Sequence, residues 1–65
     1  MLVMSEEEML TPAEVAKKLR LSEPTVLRLL RQGVIPGIKI AGSWRIDSQE
    51  FQDYLNDLKK KQKQN

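Results

Sequence analysis

At about 100° per residue, Pro24, Thr25, Arg28, Arg31 and Gln32 fall on one side of a helix, and Val26, Leu29 and Leu30 fall on the other. The polar side carries two guanidinium groups, a hydroxyl and an amide, which can bond phosphate oxygens and base edges. Glu23 is the one acid of the segment and lies off that side. A helix is narrow enough to enter the major groove of a duplex, and its N-terminal half reaches deepest. An ordinary solvated helix face could carry the same residues, so this pattern alone leaves both readings open. A second cationic pair, Lys39 and Arg45, flanks the small residues Ala41, Gly42 and Ser43. Small residues let a ribbon tip approach a sugar–phosphate backbone or a minor groove closely. A purely structural hairpin would use the same glycine for its turn.

Other chemistries find little support. The 65 residues contain neither cysteine nor histidine, which removes thiolate chemistry and the commonest metal ligand and general base. There is no glycine-rich phosphate loop and no carboxylate set at metal-ligand spacing. Glu6, Glu7 and Glu8 read as a solvated run, and Asp53 and Asp57 share a face of an outer covering helix. The expectation is a protein that is not an enzyme, with no cofactor, no metal and no small-molecule substrate. No apolar run approaches the ~20 residues of a membrane span. Met1–Met4 is too short for the apolar region of a signal peptide. No membrane partner and a cytoplasmic location are therefore expected.

The net charge of +2 is unevenly spread. An acidic start gives way to a middle segment with Lys17, Lys18, Arg20, Arg28, Arg31, Lys39 and Arg45 against Glu14 and Glu23. Asp47, Glu50, Asp53 and Asp57 follow, and then a lysine-rich end. A basic middle between acidic flanks suits one face turned toward a polyanion, although an ordinary solvated surface could show it too.

The elements that would hold these groups are short. Residues 1–9 lack a clean period and read as a flexible N-terminal arm. Thr11-Pro12-Ala13-Glu14 is a helix start, with a capping threonine, proline at the first position and a glutamate completing a capping box. This helix ends near Leu19, and Leu21 is expected to be buried in a short link. Ser22 caps a second helix from Glu23 to about Gln32, with Gly33 just past its end. Ile38–Ile40 and Ser43–Ile46 read as a hairpin, with Ile38, Ile40, Trp44 and Ile46 toward the core and Lys39 and Arg45 outward. Asp47 or Ser48 caps a third helix on which Phe51, Tyr54, Leu55 and Leu58 recur at helical spacing. The domain is expected over 10–58, with 59–65 as a frayed basic tail. The fold class is mainly α with a small β-hairpin, a winged helix-turn-helix of three helices and a two-stranded wing.

From Leu10 through Val15-Ala16, Ser22, Thr25-Val26, Arg28-Leu29, Gly33, Ile35-Pro36, Lys39-Ile40 and Trp44-Arg45-Ile46, the chain resembles the excisionase-type DNA-binding domain. That family is related to the MerR-like winged helix-turn-helix. The resemblance spans about residues 10–58. It implies DNA contacts from Ser22, Thr25 and Arg28 on a recognition helix and from Lys39 and Arg45 on a wing, with Trp44 in the core. Arg31, Gln32 and Ser43 join this set from their positions on the same helix face and turn. An ion pair of Arg45 with Glu14 is the alternative for that residue. The implied partner is double-stranded DNA, with a recombinase or a second copy of the chain as further partners. The implied roles are recombination directionality or transcription regulation.

Three positions depart from the family pattern. Glu23 stands where a basic residue is frequent, Leu27 where an aromatic is common, and Val34 where a charge is common. A rival reading is a protein-interaction module of the same fold without DNA binding, with Leu2, Val3, Leu27 and Val34 as its contacts.

Overall fold

The computed structural model describes residues 9–63. Its elements are β1 (Met9–Leu10), α1 (Pro12–Leu19), α2 (Glu23–Arg31), β2 (Ile38–Ile40), β3 (Ser43–Asp47) and α3 (Ser48–Lys63). The result is a small, mainly helical protein with a three-stranded antiparallel sheet of order β1-β3-β2.

Local chemistry sets the helix ends. Thr11 Oγ1 accepts from the Glu14 backbone N–H at 3.1 Å, and Glu14 Oε1 accepts from the Thr11 N–H at 2.9 Å, closing the expected capping box. The end of α1 is made by Arg20, whose φ of 61° lies in the left-handed region. Its N–H donates to Lys17 O, and the Leu21 N–H to Ala16 O. At the end of α2, Gly33 takes the same role with φ 79°. Its N–H donates to Leu30 O, and that of Val34 to Leu29 O. This pairing is a Schellman motif, and it turns the chain sharply toward the hairpin. Asp47 Oδ1 accepts from the Gln49 and Glu50 N–H groups at 2.8 and 3.1 Å, so the last residue of β3 also caps α3.

The core is Val15, Ala16, Val26, Leu30, Ile35, Ile46 and Phe51, with Leu10, Leu19, Leu27, Leu29, Trp44, Tyr54 and Leu55 packed around it. Each face holds at least one anchor: Val15 and Ala16 on α1, Val26 and Leu30 on α2, Ile46 on β3 and Phe51 on α3. Burying an aliphatic side chain of this size contributes about 1.5–3 kcal/mol, so this small set carries much of the stability.

Several expectations are corrected here. Met9, placed in the arm, pairs with Asp47, and Leu10 pairs with Ile46, so the hairpin gains a third strand. A two-residue strand is too short to show an alternating pattern. Residues 1–8, the rest of the arm, lie outside the described residues. Helix α3 runs on to Lys63, past Leu58, so most of the expected tail is helical. Leu21 is 42 % exposed rather than buried. The hairpin is also turned. Ile38 and Ile40 are 54 % and 52 % exposed, and the pairs are Ile38 with Arg45, Lys39 with Trp44 and Ile40 with Ser43. Residues directly opposite share a face. A two-residue turn therefore puts Lys39 with Trp44 and Ile46, and the two isoleucines with Arg45.

That turn places Ala41 at φ 50° and Gly42 at φ 81°, the type I′ geometry that suits a tight hairpin. The left-handed region penalises alanine and favours asparagine or glycine. Ala41→Asn is expected to stabilise the domain by about 0.5–1 kcal/mol. A thermal melt should show this as a rise of several degrees; an unchanged or lower midpoint would refute it.

Candidate nucleic-acid interface

Helix α2 is anchored by its buried Val26 and Leu30, with Leu27 and Leu29 half-buried beside them, and the opposite arc faces solvent. Arg28, Arg31 and Gln32 are exposed on that arc, and Thr25 is half-buried. Leu27 and Leu29 pack against the core edge, so Leu27 does not join the exposed Val34 in an apolar patch.

Ser22 stands at the entrance of the helix. Its oxygen accepts from the Thr25 N–H at 3.3 Å, and its hydroxyl donates to Thr25 Oγ1 at 2.8 Å. As the acceptor in this pair, the Thr25 hydroxyl keeps its own proton as a donor. Glu23 is exposed in the first turn, where its charge suits the helix dipole.

The hairpin begins beside α2. A Cβ placed on Gly37 would lie 2.7 Å from Leu30 Cδ2 and 3.3 Å from the Arg45 carbonyl oxygen. The missing side chain at Gly37 lets β2 leave close to α2, a role that no periodic pattern in the sequence marks.

On this hairpin the two cations occupy opposite faces. Lys39 is exposed, with Nζ 5.9 Å from the centroid of the Trp44 ring. Arg45 is half-buried, and its Nη1 donates to the Trp44 carbonyl at 2.9 Å. It lines a shallow depression with Met9, Gly37, Ile38, Asp47 and Glu50. Among the described residues Arg45 forms no ion pair with Glu14, whose Oε1 accepts from the Thr11 N–H. Ser43 is exposed next to the turn.

The arrangement can present hydrogen-bond donors and positive charge from one helix face, with a second cation on each side of a neighbouring ribbon. Among the described residues there is no group of His, Cys, Asp or Glu able to hold a metal ion, and no helix is long and apolar enough to cross a membrane.

Two short helices linked by a tight turn, the second projecting arginines, define a helix-turn-helix protein. The helix-turn-helix domain family model matches residues 9–59, and the chain belongs to that family. Two relatives come from Mycobacterium tuberculosis: "Putative DNA-binding protein MT0521" of strain CDC 1551 / Oshkosh and "Putative DNA-binding protein Rv0500A" of strain ATCC 25618 / H37Rv. Each is 38% identical over 48 residues, which cover 74% of this chain and 62% of the relative, so the match spans less than two thirds of their length. No solved structure matches.

Proposed function

We propose that this chain binds double-stranded DNA with α2 in the major groove and the β2–β3 hairpin as a wing on the flanking backbone or minor groove. The carrying observation is the exposed arc of Arg28, Arg31 and Gln32 on a helix whose opposite face is locked into the core by Val26 and Leu30. Thr25 and Arg28 are the candidates for base edges, Ser22 and Arg31 for phosphates at either end of the helix, and Gln32 for either. Lys39 and Ser43 serve from the wing. Arg45 serves there after releasing the Trp44 carbonyl. Family membership and the names of the two relatives support the same partner. A role in recombination directionality or transcription regulation follows from the excisionase resemblance, with a recombinase or a second copy as the added partner.

If about four cations neutralise phosphates, the logarithm of affinity falls with the logarithm of salt at a slope near −3.6. Lys39→Ala is expected to weaken all sequences alike and to reduce that slope by about 0.9. An unchanged slope would take Lys39 off the DNA. Selection from random duplexes tests the whole reading, because it returns the site, its symmetry and its spacing together. Failure to enrich any sequence, with no binding at low salt, would overturn it.

A second reading rests on Val34, Ile38 and Ile40, which are 46–54 % exposed. As a protein contact surface they would support an interaction module that ignores DNA. Titration of labelled random duplex at low salt separates the two readings.

A further inference from the structure

A groove of about 900 Å³ is bounded by β1, α1 and α3. None of the eight residues assigned to DNA lines it. Its apolar surface comes from Met9, Leu10, Phe51 and Leu55, and its α1 side carries Glu14, Lys17 and Lys18. Both lysines are exposed, while the Glu14 carboxylate is turned to the Thr11 N–H. The groove therefore offers an apolar floor beside a cationic edge.

The chain itself supplies a complementary segment. Directly before Met9 stand Glu6, Glu7 and Glu8, and before them Leu2, Val3 and Met4. Met9 lies opposite Asp47 in an antiparallel pair, and both Met9 and Ser48 line the groove, so β1 joins the groove where α3 begins. Seven residues can span up to about 25 Å when extended, whereas Ser48 to Leu55 rises only about 10 Å along the helix. The reach is ample, and the acids nearest Met9 complement the charge of the α1 lysines.

We propose that residues 2–8 dock in this groove, with Glu6–Glu8 against Lys17 and Lys18 and with Leu2, Val3 and Met4 covering Phe51 and Leu55. The docking places acidic groups on lysines that would otherwise add to the positive field beside α2. It does not depend on the DNA reading.

The chain has no cysteine, so Met4→Cys in the full chain gives a single site for a nitroxide label. The expected result is paramagnetic broadening of the Lys18, Gln52 and Leu55 amides that does not vary with protein concentration. Reversing Glu6, Glu7 and Glu8 to lysine should reduce that broadening severalfold, and adding Lys17→Glu with Lys18→Glu should restore it. Unshifted amides in α2 and β3 would verify that each variant keeps the fold. If the double reversal on α1 disturbs those amides, Glu6, Glu7 and Glu8 to glutamine is the milder test and should also reduce the broadening. Absence of broadening overturns the proposal. Broadening that grows with concentration also overturns it, in favour of a second copy in the groove. Insensitivity to charge reversal overturns the lysine contact and the proposal with it.

Discussion

Arg28→Ala is expected to weaken a specific duplex site by about 1–3 kcal/mol, or roughly 5- to 150-fold, and to weaken random duplex much less. The reasoning begins with placement. Arg28 sits mid-way along α2 on the exposed arc, between Thr25 and Arg31. A planar guanidinium there can donate two bonds to the acceptors of a guanine edge, and truncation removes both. Nothing in the monomer should compensate or complicate the result, because Arg28 is exposed while Val26 and Leu30 do the anchoring. A purely phosphate-directed arginine would behave differently, losing similar affinity on every sequence. Competition binding at one fixed salt concentration distinguishes them, and an equal loss on specific and random DNA would remove Arg28 from base readout.

The largest effect on stability is expected at Ile46. This side chain is fully buried, its strand lies between β1 and β2, and its Cγ1 lies close to the position a Gly37 Cβ would take. Ile46→Ala would open a cavity where the sheet meets the helices, at a cost of about 2–5 kcal/mol. A chain of this size has only roughly 3–10 kcal/mol of stability in total, so a large unfolded population is expected. Denaturant titration followed by the fluorescence of Trp44, the sole tryptophan, would report it. A loss below about 1 kcal/mol would show that the core does not centre on Ile46. Gly37→Ala should act in the same direction by about 1–3 kcal/mol, because its new methyl would press on the buried Leu30.

The two helices of the helix-turn-helix could be read closely from residue order. Thr11, Pro12 and Glu14 announce the start of α1, and Ser22 and Gly33 bracket α2, where the structure has its caps. The arc of Thr25, Arg28, Arg31 and Gln32 followed from periodicity alone. The hairpin was harder. Hydropathy suggested that Ile38 and Ile40 face the core with Trp44 and Ile46, whereas the two-residue turn at Ala41 and Gly42 demands that Lys39 face Trp44. The number of residues in the turn fixes this pairing and separates Lys39 from Arg45. The end of α1 near Leu19 was legible as well, although Arg20 rather than a glycine takes the left-handed position there.

Helix limits, caps and the tight turn are written into short stretches of chain because their hydrogen bonds join residues a few positions apart. The third strand, the burial of one hairpin face and the closeness of Gly37 to α2 belong to the assembled molecule. Met9 meets Asp47, and Gly37 meets Leu30, only after the core has drawn distant segments together. No local pattern encodes such partners, since a two-residue strand or a lone glycine carries no period of its own. The polar arc of α2 was thus visible beforehand, while its neighbours in space were settled by packing.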